Sequence, residues 1–332
     1  MEKTKIDIIS GFLGAGKTTL IKKLLKEAYA DEQVVLIENE FGEIGIDGGF
    51  LKESGIQINE MNSGCICCSL VGDFGTSLKE VVEKYHPDRI IIEPSGVGKL
   101  SDVIKAVKDL HIENEIRLNS ASTVADASKV KVYMKNFGEF FNNQIEHAGT
   151  IILSRTQNVS EAKLKTDIEL IRSLNKDAHI ITTSWDDIDG KQILDAMENV
   201  TNLELEMLAE AAAKVAEEHE HHHHHDGECG CGHHHEHGHH HADEVFTSWG
   251  KETPKKYNKE ELDTILQKLS KDDSYGMILR SKGILQTEDG SWIQFDLVPG
   301  EYEIREGSAD YTGRICVIGS KLKEDELEGL FF

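Results

Sequence analysis

The run Gly11-Phe12-Leu13-Gly14-Ala15-Gly16-Lys17-Thr18 constrains this chain more than any other feature. It fits G-x-x-x-x-G-K-S/T, and it lies between a β-rich apolar run at residues 6–10 and a helical pattern at 17–29, the context that gives the pattern its meaning. In a strand, glycine turn and helix of this kind, the turn's N–H groups and the helix N-terminus cradle phosphates. The lysine neutralises β and γ oxygens, and the hydroxyl after it ligates Mg²⁺. Gly11, Gly14, Ala15, Gly16, Lys17, Thr18 and Thr19 are therefore the expected nucleotide-binding residues, with Lys17 also catalytic and Thr18 also a Mg²⁺ ligand. The chain is expected to hold a nucleoside triphosphate with Mg²⁺.

The surrounding pattern supports a matching fold. Further strands are expected at 34–38, 89–93, 122–126, 150–153 and 179–183, with helical spacing between them, as at Leu78, Val81, Val82 and Tyr85. Strand and helix alternation of this kind predicts an α/β, doubly wound, mainly parallel sheet over residues 1–202. Residues 203–218 read as helical, and 219–241 hold thirteen of the seventeen histidines, so 203–244 is expected to be a low-complexity linker. From 245 to 332 strands return at 245–249, 275–286, 292–298, 301–305 and 314–318. A helix at 259–269 interrupts them, with Asn258 as its N-cap and Glu261 in the place of a capping-box acid. This second domain is expected to be smaller and α+β.

Charge and cysteine usage narrow the partners. Lys plus Arg number 36 against 60 Asp plus Glu, a net charge of −24 that repels phosphate backbones and anionic lipid, so nucleic acid and membrane are not expected partners. No run approaches the ~18 apolar residues of a membrane span, and the N-terminus lacks a secretory pattern, which points to the cytoplasm. Five of the six cysteines fall in two clusters, Cys65/Cys67/Cys68 and Cys229/Cys231, a metal-ligand usage.

Cys65-Ile66-Cys67-Cys68 can give two or three soft thiolates to Zn²⁺ or a neighbouring transition metal, with a further ligand from Glu38, Glu40, Glu43 or His111. Residues 219–241, including His221, His222, Cys229, Cys231, His233 and His234, are expected to bind Zn²⁺, Ni²⁺ or Co²⁺ in exchangeable arrangements suited to storage or capture. Glu93-Pro94-Ser95-Gly96 places an acid at the end of a buried strand. Glu93 can position Mg²⁺ or its water, and Gly96 can approach the γ-phosphate through its N–H. The segment 38–47, ending at Asp47, is acidic and glycine-rich, as suits a loop near a metal. Cys316 reads as a buried small hydrophobe, and His86, His147 and His179 as isolated histidines.

The glycine turn, Asn39-Glu40-Phe41-Gly42 with Asp47, Gly64-Cys65-Ile66-Cys67-Cys68 and Glu93-Pro94-Ser95-Gly96 resemble, in order and context, the CobW-like family of metal-handling P-loop GTPases. Arg280-Ser281-Lys282-Gly283, Trp292 and Ile318-Gly319 look like that family's C-terminal domain. The resemblance implies a GTP-hydrolysing metallochaperone that holds zinc, cobalt or a similar metal at the cysteine motif and delivers it to a client metalloprotein or cofactor pathway. Its rivals are a metal store or sensor with weak turnover, and an ATP-dependent activator of a metalloenzyme or corrinoid protein. One departure matters. Ser154-Arg155-Thr156-Gln157 stands where family members carry Asn-Lys-x-Asp, the guanine signature. Gln157 offers one donor and one acceptor where guanine needs two acceptors, a match for adenine instead, so GTP and ATP both stay open. Arg155 is expected to stack on the purine as a lysine stem would.

Overall fold

The computed structural model describes residues 3–38, 57–60, 71–110, 112, 114–198 and 247–332. They form two compact units, Met1–Val200 with Asp310–Thr312, and Thr201–Ala309 with Gly313–Phe332. The first unit runs β1 (Thr4–Gly11), α1 (Lys17–Glu27), β2 (Val34–Glu38), β3 (Gln57–Glu60), α2 (Val71–Tyr85), β4 (Arg89–Glu93), α3 (Leu100–Lys108) and β5 (Ile116–Asp126). It continues with α4 (Val130–Asn136), α5 (Gly138–Glu146), β6 (Thr150–Ser154), α6 (Glu161–Leu174), β7 (His179–Ile181) and α7 (Gly190–Glu198). All of its strands pair in parallel, in the order β3-β2-β4-β1-β5-β6-β7.

The period of two along each strand divides the core between the sheet's faces. Ile6, Ile8, Val35, Ile37, Ile90 and Ile92 pack with Leu78, Val103, Phe141 and Ile171 of the α2, α3, α5 and α6 layer. Ile9, Val34, Leu36 and Ile91 pack with Leu20, Leu24, Ile193 and Met197 of α1 and α7. Runs buried on both faces are apolar along their interior, Val34–Ile37 in β2 and Ile90–Ile92 in β4, which is why these strands match their expected bounds.

The strands that differ from expectation do so for local reasons. β3 was unexpected because Gln-Ile-Asn-Glu has little apolar content, and it lies at the sheet edge, where one neighbour suffices. β5 starts six residues before the expected 122, through a polar stretch with a register shift opposite Ile6/Asp7. That irregularity lets Asn119 Nδ2 and Ser120 Oγ both donate to Asp7 Oδ1, at 2.8 and 2.7 Å. β7 stops at Ile181, short of the expected 183, because the N–H groups of Thr182 and Thr183 donate to the Tyr311 carbonyl at 2.9 and 3.1 Å.

A buried ionic cluster lies at the opening end of β4. Arg89, fully buried, pairs with Asp7, with Glu32 at 2.5 Å and with Glu198 at 2.7 Å, and its guanidinium lies 4.4 Å from the Tyr29 ring centroid.

The second unit is an antiparallel sheet of β8 (Thr247–Thr253), β9 (Met277–Gln286), β10 (Trp292–Val298), β11 (Glu301–Gly307) and β12 (Gly313–Ser320), in the order β11-β10-β9-β12-β8. Helices α8 (Lys259–Lys271) and α9 (Glu324–Phe331) contribute Leu262, Leu266, Leu327 and Phe331 to a core with Trp249, Phe295 and Val317. β8 runs on past the expected 249, since its pairing with β12 continues to Thr253. Asn258 caps α8 as expected, accepting from Glu260 N at 2.8 Å, but the Glu261 carboxylate accepts from Lys255 Nζ instead of closing a capping box. Gly283 is required where it stands, because a Cβ there would lie 2.2 Å from the Phe295 ring. Cys316 is buried, as its strand pattern implied. Among the described residues no helix is long and apolar enough to cross a membrane.

Candidate nucleotide and metal site

The glycine turn joins β1 to α1 at the carboxyl end of the parallel strands, where open α/β sheets place their ligands. Gly16 is the N-cap of α1 with φ 108°, a conformation that L side chains rarely adopt, and the Trp185 ring would stand 3.3 Å from any Cβ there. The turn is closed by Ala15 N donating to Phe12 O at 3.1 Å. No acidic side chain occupies the first turn of α1, so the positive end of the helix dipole is not neutralised locally and favours an anion.

Three of the expected catalytic groups meet beside this turn. Thr18 Oγ1 lies 3.3 Å from Glu93 Oε1, and Lys17 Nζ lies 3.9 Å from the same oxygen, with Lys17 and Glu93 largely buried. Gly96 packs directly on the turn, and a Cβ built on it would lie 2.8 Å from Leu13 N. The Gly96 backbone is therefore as close to the phosphate loop as sterics allow. Thr19 is exposed on the first turn of α1. A hydroxyl and a carboxylate this close are hard oxygen donors, and they fit the Mg²⁺ that the motif implies.

The 154–157 segment forms the next wall. Ser154 Oγ donates to Ala15 O at 2.6 Å, tying β6 to the glycine turn. Arg155 adopts φ 57° and donates to Gly14 O at 3.1 Å and to Asp126 Oδ2 at 2.6 Å. Its guanidinium thus braces the loop. Gln157 is exposed in the short 3-10 turn Thr156–Asn158.

Sequence reasoning gave no role to Asp126 or Gln144. Asp126 had a signal, as the acid ending a buried strand at the carboxyl edge. Gln144 had a fainter one, as an amide between Phe141 and Ile145 on the apolar face of a helix.

Among the described residues no group of three or more His, Cys, Asp or Glu is placed to hold a metal. The expected ligands Cys65, Cys67, Cys68, Glu40, Glu43, His111, His221, His222, Cys229, Cys231, His233 and His234, and the loop residue Asp47, lie outside the described residues. Glu38 is described. It ends β2, buried, in register with Glu93 of β4 on one side and Glu60 of β3 on the other.

A family model described as CobW/HypB/UreG, nucleotide-binding domain, matches residues 5–182, and one described as Cobalamin synthesis protein cobW C-terminal domain matches 246–332. Zinc chaperone CobW of Sinorhizobium sp is 32% identical over 191 residues, 49% of this chain and 54% of that protein. The chain thus spans about half of that relative's length. Zinc-regulated GTPase metalloprotein activator 1 of Schizosaccharomyces pombe is 27% identical over 318 residues, 92% of this chain and 77% of that protein. Zinc chaperone YjiA of Escherichia coli is 29% identical over 195 residues, covering 57% of this chain and 60% of its own length. With the glycine turn, its carboxylate and the second antiparallel unit all in place, the chain belongs to the CobW/HypB/UreG family of nucleotide-binding proteins, in the form that carries the CobW C-terminal domain.

Proposed function

We propose that this protein is a cytoplasmic GTP-hydrolysing metallochaperone that captures a transition metal, zinc foremost, and hands it to a client metalloprotein. The observation that carries this reading is the meeting of Lys17, Thr18 and Glu93 beside the glycine turn, with Glu38 in register with Glu93 on the next strand.

In the reaction, water attacks the γ-phosphorus as the bond to the β,γ-bridging oxygen breaks, releasing diphosphate nucleotide and inorganic phosphate. Lys17 stabilises charge on the β and γ oxygens, Glu93 orients water, and the Gly96 N–H meets the γ-phosphate. Mg²⁺ held by Thr18 and Glu93 would supply further neutralisation of the transferring group.

Zinc is the cargo in this scheme, with Cys65, Cys67 and Cys68 as its soft ligands. Glu38 is the further donor that the register favours, since parallel strands stand about 4.8 Å apart and Glu38 is Glu93's direct neighbour. Cys65 follows Glu60 by five residues, a contour of at most about 18 Å, so the thiol motif starts within reach of the same sheet edge. A change at the γ-phosphate then reaches the metal through adjoining strand ends. The linker at 203–244 supplies a second, exchangeable pool of imidazoles and the Cys229/Cys231 pair. The zinc-chaperone names of the relatives support zinc as the cargo.

The test is GTP turnover by anaerobically purified protein, with and without one equivalent of Zn²⁺. Metal-responsive hydrolysis that disappears in Lys17→Ala is expected. Metal binding with no turnover in either protein would replace this reading with a metal store or sensor.

A further inference from the structure

Gln144 is a fully buried side chain of α5. Its Nε2 donates to two carbonyls of the turn after β4, Gly96 O at 3.0 Å and Gly98 O at 2.9 Å. Both partners are acceptors, so the amide orientation is fixed by chemistry. The Oε1 atom, equally buried, has no hydrogen-bond partner among the described residues. For packing alone, an apolar side chain between Phe141 and Ile145 would serve better than an amide with one end unsatisfied. The amide is there for its donors.

Its mount is rigid. Thr123 Oγ1 donates to the Gln144 carbonyl at 2.7 Å, binding this point of α5 to β5. The preceding side chain acts on the same segment, because Asn143 accepts from Ser101 N at 3.2 Å and donates to Ser101 Oγ at 3.0 Å at the start of α3. The turn closes on itself through Gly98 N donating to Ser95 O at 2.8 Å. On its other flank Gly96 rests on the backbone of Leu13, and the neighbouring Phe12 ring lies 5.0 Å from Phe137 and 6.4 Å from Phe141. The 95–98 turn is thus clamped between the phosphate loop and α5, and α5 touches both sides of the clamp.

We propose that Gln144 is a positioning residue for nucleotide hydrolysis, which holds the Gly96 turn against the phosphate loop so that the Gly96 N–H meets the γ-phosphate. This rests on the reading of Gly96 given above. A diphosphate lacks the γ-phosphate that the Gly96 N–H would meet, so the contribution of Gln144 belongs to the triphosphate state alone.

The experiment compares Gln144→Met, which removes the donors at similar volume, and Gln144→Glu, which puts an acceptor in their place, with Gly96→Ala and the unmodified protein. GDP and guanylyl imidodiphosphate affinities, kcat and thermal stability are measured for each. Leaving both carbonyls unmet is expected to reduce the triphosphate-over-diphosphate preference, and kcat with it, by about ten- to a hundredfold, with GDP affinity within about threefold. Folded Gln144 variants with unmodified preference and kcat overturn the proposal. So does equal weakening of both nucleotides, or failure of both variants to fold, since either outcome makes the amide merely structural. If Gly96→Ala keeps full triphosphate preference, the reading of Gly96 fails; if it loses that preference while Gln144→Met does not, the Gln144 proposal fails alone.

Discussion

Replacing Arg89 with methionine removes one charge from a buried group of four. The guanidinium is wholly inaccessible, Asp7 likewise, and the side chains of Glu32 and Glu198 are 29% and 19% exposed. Burial alone works against the charge on Arg89, but the hydrogen bonds it donates to Glu32 and the charge of Asp7 outweigh it and hold the guanidinium protonated. The variant keeps Asn119 and Ser120 as donors to Asp7, leaves Glu198 with Lys5 at 3.5 Å as its remaining counter-charge, and strips Glu32 and Asp7 of the charge of Arg89. Breaking a buried pair in this way costs about 3–5 kcal/mol, and at roughly 2–4 °C per kcal/mol for a unit of this size the melting temperature should fall by about 6–20 °C. Arg89 opens β4 and Glu93 closes it, so GDP affinity should be unchanged while the protein is folded. Asp7→Asn added to Arg89→Met should recover part of the loss.

Acid supplies a second reading of the same cluster. Burial raises the Glu198 carboxyl, but hydrogen bonds from Arg89 and Asn119 bring it below its ordinary 4.5. A depressed carboxyl stabilises the fold above that value and loses the contribution as pH falls through the depressed one, so the unmodified protein should lose stability below about pH 4.5 with a slope that Arg89→Met reduces, Asn119 and Lys5 still holding the carboxyl down in part. The assay is thermal unfolding by circular dichroism from pH 3 to pH 7, with GDP titration at pH 7. A fall in melting temperature of under about 2 °C at neutral pH would refute the reasoning.

Gln157→Asp should raise preference for GTP over ATP by about ten- to a hundredfold, measured by competition binding, because it restores the acceptor pair that guanine's N–H groups need. Strong GTP preference in the unmodified protein would move base reading to other groups. Deleting 219–241 should lower zinc stoichiometry and leave one tight site, while Cys65→Ser/Cys67→Ser/Cys68→Ser should abolish the tight site; equilibrium dialysis of both proteins decides, and loss of all metal on deletion alone would contradict the assignment.

Much of the first unit was legible because strands buried on both faces must be apolar along their interior, and the glycine turn between strand and helix admits few readings. The motif also singled out Lys17 and Thr18, and the position of an acid at the end of β4 singled out Glu93, which lies beside them. What stayed hidden was set by tertiary pairing. Asp7 and Arg89 look like interruptions of their strands until their side chains meet, and Gln144 is one amide on an otherwise ordinary helix face. β3 was hidden because an edge strand need not be apolar. Arg155 shows the limit of position-by-position transfer, since matching it to a lysine says nothing of the Asp126 carboxylate that draws its guanidinium onto Gly14.

The central claim is that the phosphate state of the nucleotide governs the affinity of the thiol site for its metal. Zinc affinity of the protein lacking 219–241, measured by competition with a chromophoric chelator in the presence of GDP and then of guanylyl imidodiphosphate with Mg²⁺, tests it most directly. The account predicts dissociation constants that differ at least about fivefold between the two nucleotides, the lower end of allosteric coupling. Equal constants would contradict it.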